Sequence, residues 1–337
     1  MARADSVRNG SPVVALHGDF DRRLVTGLKD QLPPDAEVIV TSGEVGDAID
    51  YVVTWTEDLD APQIENASSL RGLVQLDSGA GSLPLESLKQ RDIIIEVVSS
   101  PALISVAEHA VMLILAVFKR FGTALDRTRA KEVVPGVVPK LTDQENYSYN
   151  WVGLERFEAV KGKTIGLVGL GKIGREVALM LRAFSADVVY HKRTRLDPAE
   201  ESELDVRFLD FDDLLSVSDC VSLHNRFNEE TEKMMAAREF ALMPEGSFFV
   251  NTARGRLVDE GALCDALASG HLAGAALDVF WYEPPQDKSP LWGAPNLIMT
   301  PHTAGIPIAV SLEQELAQAA EFISADWTQG RNKAGTK

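Results

Sequence analysis

A glycine pattern between a short apolar run and an amphipathic segment constrains the fold of this chain most strongly. The stretch reads TIGLVGLGKIGREVALMLRAF and contains Gly169, Gly171 and Gly174. At this spacing the glycines permit a tight strand-to-helix turn, the approach of a pyrophosphate, and close helix–strand packing. Free N–H groups at the helix start would then face the phosphates. The pattern predicts a dinucleotide site that includes Lys172 and Ile173, although such glycines can also mark only a turn.

Short β-rich runs alternate with helical stretches on both sides of this glycine loop. Such alternation is typical of parallel sheets covered by helices. The predicted strands are 12–16, 37–40, 51–55, 73–76 and 92–98, then 164–168, 187–191, 219–223, 247–251, 274–278 and 297–299. The 337 residues equal about two ordinary domains. The sequence therefore predicts an α/β protein with two doubly wound parallel-sheet domains.

Three longer segments interrupt this alternation. Residues 105–121 are too long and too apolar for a strand, and they predict a buried helix that leads out of the first domain. Residues 122–161 contain prolines and a polar stretch, and they predict an irregular connection that is too long for a plain loop. Residues 308–330 predict one C-terminal helix.

Composition argues against several classes of partner. A formal net charge of -17 and a pI near 4.8 argue against nucleic acid or an anionic membrane surface. Cys220 and Cys264 lie in apolar segments without a Cys or His partner at ligand spacing, so we expect buried thiols and no metal site. We find no uninterrupted run of about 18 apolar residues and no signal-peptide pattern, and we expect a cytoplasmic protein.

Against this acidic background, the stretch HKRTR is locally basic. Lys192 stands 18 positions after Gly174, about where dinucleotide sites usually carry an acid that binds the adenosine ribose. Lysine cannot accept those hydrogen bonds, whereas Lys192 and Arg193, with Thr194 in the same turn, suit a 2′-phosphate. The sequence predicts that NADP(H) is preferred and that NAD(H) is possible. The alternative is a solvated basic turn with indifferent cofactor choice.

Three polar residues follow predicted strands in the second half of the chain. Arg254 lies in NTARG, Glu283 in YEP and His302 in PHTAG. Strand C-termini in a doubly wound sheet open on the ligand crevice, so these side chains can point at one site. Arginine can hold a carboxylate, histidine can donate a proton near neutral pH, and a neighbouring carboxylate favours imidazolium. Taken singly, they also fit a surface charge, a loop cap and a core histidine.

Together these motifs resemble the D-isomer-specific 2-hydroxyacid dehydrogenases, a family that includes glyoxylate/hydroxypyruvate reductases, D-lactate dehydrogenases and phosphoglycerate dehydrogenases. The resemblance lies in GLVGLGKIGREVA, VSLH, NTARGRLVDEGAL, GAALDVFWYEP and TPHTAG, and more loosely in SGAG and SVAEHAVMLILA. It implies that His302 donates a proton to a substrate carbonyl while hydride leaves nicotinamide C4. It also implies that Glu283 favours protonated His302, and that Arg254 holds the substrate carboxylate.

The resemblance implies further binding residues. Thr252 and Ala253, in NTARG, and Asp278, in ALDVF, would lie near the cofactor. Backbone N–H groups of the turn with Gly79, Ala80 and Gly81 would receive the substrate carboxylate, although this stretch also fits an ordinary strand-to-helix turn.

The resemblance also implies the domain arrangement. A Rossmann cofactor domain, residues 122–305, would be inserted into a flavodoxin-like substrate domain made of residues 1–121 and 306–337. Residues 122–160 would form an arm that embraces a second subunit, so a homodimer is expected.

Several departures keep other functions open. Asn225 and Arg226 replace the usual aliphatic residue and proline after VSLH, and Pro301 precedes His302 where formate-oxidising relatives have glutamine. Reduction of small 2-keto acids of the glyoxylate/hydroxypyruvate type to D-2-hydroxy acids is the main hypothesis. Aromatic residues such as Trp55 and Trp281 would favour a larger, more apolar acid if they border the pocket, but core or dimer packing explains each of them at least as well. Formate or phosphite oxidation and a non-catalytic dinucleotide sensor are the remaining alternatives.

Overall fold

The computed structural model describes residues 11–55, 58–76 and 83–334, with side chains up to residue 330. The chain forms two compact units. The first contains the residues up to Leu103 and those from Ile306 onward, and the second contains Ile104–Gly305. The second unit is therefore inserted into the sequence of the first.

The elements alternate along the chain, and their bounds are as follows. The strands are β1 Val13–His17, β2 Glu37–Thr41, β3 Tyr51–Thr54, β4 Gly72–Leu76, β5 Ile94–Val98, β6 Thr164–Val168, β7 Asp187–His191, β8 Val206–Phe208, β9 Cys220–Leu223, β10 Ser247–Asn251, β11 Leu272–Leu277 and β12 Leu297–Met299. The helices are α1 Arg22–Gln31, α2 Ala61–Ile64, α3 Leu85–Gln90, α4 Pro101–Phe118, α5 Phe121–Arg129, α6 Lys172–Ala183, α7 Pro198–Leu204, α8 Phe211–Val217, α9 Ala237–Leu242, α10 Glu260–Ala268 and α11 Ile308–Ala334.

The first unit contains a parallel sheet with the order β2-β1-β3-β4-β5. This is the flavodoxin-like order, with the change of direction at β1 and β3. One apolar cluster joins β1, β3 and β4 to α1 and α11, and a second cluster covers the opposite face. The C-terminal helix thus returns to the N-terminal sheet. Tyr51 Oη donates to Asp326 Oδ2 at 2.5 Å, and Trp327 beside it is buried.

The second unit contains a parallel sheet with the order β12-β11-β10-β9-β6-β7-β8. Read from β8, this is the Rossmann order extended by one strand, and the direction changes between β6 and β9. Apolar clusters fill both faces. Because ligands bind outside the carboxyl ends of strands at such a point, the loops after β6, β9 and β10 are where a dinucleotide is expected. The two-sheet α/β fold predicted from sequence is confirmed.

Helix α4 belongs with the core of the second unit. By length and composition alone it could cross a membrane, which is weak evidence because core helices of soluble proteins pass the same test. Its buried side chains, among them Ala107, Ile114 and Phe118, lie in the same cluster as β6 and α6. The unit boundary therefore falls at 103/104, whereas the sequence placed it after residue 121.

Helix α5 and strand β8 depart from what the sequence predicted for their segments. Helix α5 lies inside the stretch that was predicted to be irregular, and only the residues after it follow that prediction. Strand β8 has three residues, which is too short for alternation to show in the sequence. It forms because its backbone pairs with β7 at the edge of the sheet.

Candidate active site

The glycine loop between β6 and α6 has the geometry that its sequence predicts. Gly169 has φ +93°, and a Cβ there would lie 2.6 Å from the backbone nitrogen of Asn225, so a side chain does not fit. A Cβ on Gly174 would lie 2.5 Å from the Gly169 carbonyl oxygen. Gly171 is the residue before the first turn of α6, and apart from its neighbours in the chain no described residue lies within 4 Å of its Cβ position. The start of α6 is therefore open to a ligand.

Helix α6 begins with the two predicted cofactor residues Lys172 and Ile173. Lys172 is the first residue of α6, and Ile173 packs against the apolar cluster beneath it. The Gly169 N–H donates to the His191 carbonyl at 2.8 Å, which places the glycine loop beside the end of β7. The basic turn follows β7 directly.

The basic residues of that turn differ in their partners. Arg195 donates twice to Glu201, from Nε to Oε1 at 2.8 Å and from Nη2 to Oε2 at 2.7 Å. With Tyr190, which also donates to Glu201, this pair lowers the pKa of the Glu201 carboxyl to about 2. Arg175 and, more weakly, Lys192 lower the pKa of the Glu200 carboxyl, so Lys192 lies near a carboxylate. Arg193, in contrast, is exposed, and no hydrogen bond or ion pair joins it to another described residue. Of the three cations, Arg193 thus remains available for an anion.

His302 and Glu283 form one hydrogen-bonded pair. His302 Nδ1 lies 2.6 Å from Glu283 Oε2, while Glu283 Oε1 accepts from the Phe280 N–H at 3.1 Å. The carboxylate is therefore oriented by backbone and in turn orients the ring. The imidazole keeps half of its surface exposed, at 50%, so the opposite ring nitrogen is accessible.

The Asn251 side chain holds the backbone of the loop that contains Arg254 through two hydrogen bonds. The buried Asn251 side chain accepts from the Ala253 N–H at 2.9 Å and donates to the Arg254 carbonyl at 2.9 Å. A Cβ on Gly255 would overlap the backbone of Phe280, so this loop packs directly on the loop that ends in Glu283. The Arg254 guanidinium is exposed and donates to the Ala253 carbonyl at 2.6 Å. The structure thus brings the Arg254, Glu283 and His302 loops together.

A comparison with known protein families shows to which family this chain belongs. The model described as "D-isomer specific 2-hydroxyacid dehydrogenase, NAD binding domain" matches residues 111–304. The chain belongs to the D-isomer-specific 2-hydroxyacid dehydrogenase family. It is thus an NAD(P)-dependent enzyme of that family, and its second unit carries the dinucleotide-binding domain.

Individual relatives agree with this assignment. The dehydrogenase is 33% identical to the glyoxylate reductase of Thermococcus litoralis over 276 residues, which cover 81% of this chain and 78% of that protein. It is 31% identical to the D-3-phosphoglycerate dehydrogenase of Mycobacterium leprae over 328 residues, and it spans only 58% of that longer protein. The crystal structure of apo D-mandelate dehydrogenase from Rhodotorula graminis matches with a TM-score of 0.66 and 26% identity, covering 91% of this chain and 92% of that one.

Two buried polar atoms without a hydrogen-bond partner in the described part of the chain lie after β9 and β10, near the change of direction between β6 and β9 where a dinucleotide is expected. Thr252 Oγ1 follows β10, Asn225 Oδ1 follows β9, and both are buried without a hydrogen-bond partner among the described residues. Buried polar groups are nearly always paired, so these two atoms are suited to hydrogen-bond a bound ligand. His224 beside them is held neutral because burial lowers its pKa to about 4. The residues present therefore fit the cofactor of the family.

Asp278 differs from the other predicted cofactor residues. It is fully buried, and its two oxygens already accept hydrogen bonds from three groups of the loop that contains His302. Its proposed proximity to the nicotinamide stays a prediction. The predicted substrate residues Gly79, Ala80 and Gly81 lie outside the described residues.

Sequence reasoning missed three residues that shape this site. Asn251 clamps the Arg254 loop, Thr300 bonds to Asp278, and His109 bonds to Thr300. Asn251 is the first residue of NTARG and stood in the quoted motif, so its position was a usable signal. His109 lies 191 positions from its partner, and no local pattern reveals such a contact.

Proposed function

We propose that this enzyme reduces small 2-keto acids of the glyoxylate/hydroxypyruvate type to D-2-hydroxy acids and prefers NADPH. The observation that carries this proposal is the His302–Glu283 hydrogen bond of 2.6 Å beside the clamped Arg254 loop. An exposed imidazole that a carboxylate orients is suited to proton donation, and an exposed guanidinium is suited to a carboxylate.

Each residue has a distinct task in this proposal. The bound cofactor supplies the hydride that reduces the carbonyl carbon. His302 donates a proton to the carbonyl oxygen, and Glu283 stabilises the imidazolium before that transfer. Arg254 binds the substrate carboxylate through paired N–H groups and polarises the neighbouring carbonyl. Asn251 and Gly255 keep the Arg254 loop against the Glu283 loop, so that cation and proton donor act on one substrate.

The substrate class is supported by relatives and by the catalytic groups. One relative is named glyoxylate reductase, which indicates a two-carbon keto acid for that protein. A structural relative is named D-mandelate dehydrogenase, which indicates an aromatic acid for that one. Trp55 follows β3 at the carboxyl edge of the first sheet, and its indole N–H is buried without a partner among the described residues. Trp55 also packs against the apolar cluster of the first unit, with its ring centroid 6.2 Å from that of Phe20, so core packing explains this residue and it does not favour the larger 2-keto acid.

A substrate panel decides between these functions. NADPH oxidation is measured with glyoxylate, hydroxypyruvate, pyruvate and phenylglyoxylate, and chiral chromatography identifies the product. The proposal expects the highest kcat/KM for one of the first two and a D-configured product wherever a stereocentre forms. A maximum for phenylglyoxylate would favour the larger-substrate candidate. Tight NADPH binding without turnover of any acid would favour a dinucleotide sensor.

The preference for NADPH depends on Arg193 in this proposal. We expect Arg193→Gln to raise the Kd for NADPH by about 10–100-fold, because one charge-assisted contact to a phosphate contributes about 1.5–3 kcal/mol. The Kd for NADH should change little, since NADH lacks the 2′-phosphate. Both constants are measured by nicotinamide fluorescence titration.

Arg195→Gln is the matched control for that prediction. Arg195 is committed to Glu201, so its loss should leave the ratio of the two Kd values unchanged and lower the melting temperature instead. An unchanged ratio in Arg193→Gln would remove Arg193 from cofactor selection.

We also propose that residues 122–160 mediate a homodimer. This segment exposes apolar side chains, with Leu141 at 97%, Tyr149 at 73% and Val138 at 70% accessibility. Clustered exposed apolar residues are typical of interaction surfaces.

The arm gives a direct test of assembly. Sedimentation equilibrium should report twice the 36.7 kDa chain mass for the wild type. Leu141→Asp should shift the protein to monomers, since a buried unpaired carboxylate opposes association. Val40→Asp introduces the same charge at an exposed apolar position of β2 and should leave the mass unchanged. Identical masses for all three proteins would contradict an arm-mediated dimer.

A further inference from the structure

Asp278 carries a carboxylate in the interior of the second unit. Its Oδ1 accepts from Thr300 Oγ1 at 2.6 Å and from the Thr303 N–H at 2.9 Å, and its Oδ2 accepts from the Ala304 N–H at 2.9 Å. A buried carboxylate is tolerated only where donors compensate for lost water. All three donors come from the loop on either side of His302. Asp278 therefore holds that loop at both ends.

His109 extends this set of contacts to helix α4. Its Nε2 lies 3.0 Å from Thr300 Oγ1 and 3.5 Å from Asp278 Oδ1. Because the Thr300 hydroxyl donates its one proton to Asp278, it accepts from the His109 N–H. The result is a chain of hydrogen bonds from a core helix, through Thr300, to the carboxylate after β11.

The loop needs such support because His302 is conformationally strained. Its φ is +54°, in the left-handed region that residues with a β-carbon rarely adopt. Its half-exposed ring has one hydrogen bond among the described residues, to Glu283. Strained backbone persists only where surrounding contacts determine it. The Asp278 contacts at Thr300, Thr303 and Ala304 enclose the strained residue.

We propose that Asp278, Thr300 and His109 form a positioning network that keeps the His302 imidazole against Glu283. This inference rests on the proposed role of His302 as proton donor. None of the three side chains needs to touch substrate or cofactor for this task. Thr300 is the decisive member, since its hydroxyl is both the acceptor for His109 and a donor to Asp278.

The test compares two substitutions of Thr300. Thr300→Val keeps the shape but removes the hydroxyl, whereas Thr300→Ser keeps the hydroxyl. The 337-residue protein is labelled with ¹⁵N-histidine, and His302→Asn identifies the His302 signals among six histidines. We expect the low-field Nδ1–H signal of the His302–Glu283 pair to disappear in Thr300→Val and to remain in Thr300→Ser. This readout requires no substrate.

Kinetics provide the second readout. In Thr300→Val we expect kcat to fall by about 10–100-fold, because a small displacement of a catalytic group costs that much. The KM for the keto acid and the Kd for NADPH should stay near wild-type values, and Thr300→Ser should restore kcat. His109→Phe, which removes only the outer donor, should shift both readouts in the same direction by a smaller amount. If Thr300→Val fails to fold, His109→Phe tests the network in its place.

Three outcomes would overturn the network. These are an unchanged His302 signal in Thr300→Val, a serine variant as impaired as the valine variant, and a rise in the NADPH Kd that matches the loss of kcat. The last would place the hydroxyl in cofactor binding. If the wild-type protein reduced no 2-keto acid, the proposed function would fail, while the NMR comparison would still decide the positioning role.

Discussion

We expect the replacement of His302 by asparagine to lower kcat by about 10²–10⁴-fold, the usual contribution of a general acid, which is the role proposed for His302. Asparagine suits the test better than alanine because it tolerates the φ of +54° that this position requires. It can also hydrogen-bond Glu283, so the loop stays in place. It cannot deliver an acid proton to a carbonyl oxygen. Stopped-flow measurement of NADPH oxidation with saturating keto acid reports the loss.

Cofactor affinity separates a chemical defect from a folding defect in this variant. The Kd for NADPH and the melting temperature should remain at wild-type values, since the glycine loop and basic turn are untouched. Glu283→Gln should lower kcat less than His302→Asn does, because glutamine still orients the ring but no longer stabilises its positive charge. Near wild-type turnover in His302→Asn would mean that another group donates the proton.

We expect the replacement of Arg254 by lysine to lower kcat/KM for the keto acid by about 10²–10³-fold, because Arg254 is proposed to bind the substrate carboxylate. Lysine keeps the charge but lacks the planar fork that grips a carboxylate with two N–H groups. The Asn251 contacts involve only backbone atoms of Ala253 and Arg254, so they are kept in the variant and the loss reports the side chain. We compare kcat/KM for the keto acid with kcat/KM for an aldehyde of similar size that lacks the carboxylate. Only the keto acid can lose a carboxylate contact to Arg254. The preference for the keto acid should shrink in the variant.

Arg256→Lys is the matched control, with the same chemical change two positions along the chain. Arg256 pairs with Glu232 at 2.8 Å and stacks over Phe227, with its guanidinium carbon 4.5 Å from the ring centroid. These contacts are part of the surface, so we expect kcat/KM to stay within about threefold of wild type, as for most surface substitutions. Equal effects of both substitutions would argue against a substrate-binding role for Arg254.

Much of the fold was predictable because it depends on short-range patterns. Strands β6, β7, β10 and β12 were placed at their observed bounds, since each is a compact apolar run between turn residues. The glycine loop was predictable for a similar reason, as its glycines act on backbone that lies within a few positions. Strand β8 was missed because its existence depends on pairing with β7.

The candidate site also contains features that the sequence indicated and features that it did not. Arg254, Glu283 and His302 were identified as candidates from residue type, strand position and family resemblance, and the structure brings Glu283 and His302 into contact. The sequence did not show that Arg195 is committed to Glu201 while Arg193 is not. Both are arginines in one turn, and the partner of Arg195 lies on the following helix α7.

By itself, the sequence determined the two parallel sheets, the dinucleotide loop and the chemical types of the reacting groups, because periodicity and local motifs specify these. Only the tertiary structure decided which polar groups hold the site and which remain available to a ligand. Asp278 meets Thr303 across 25 positions, and His109 meets Thr300 across 191. Such pairs form because burial of a charge requires a partner wherever the folded chain provides one.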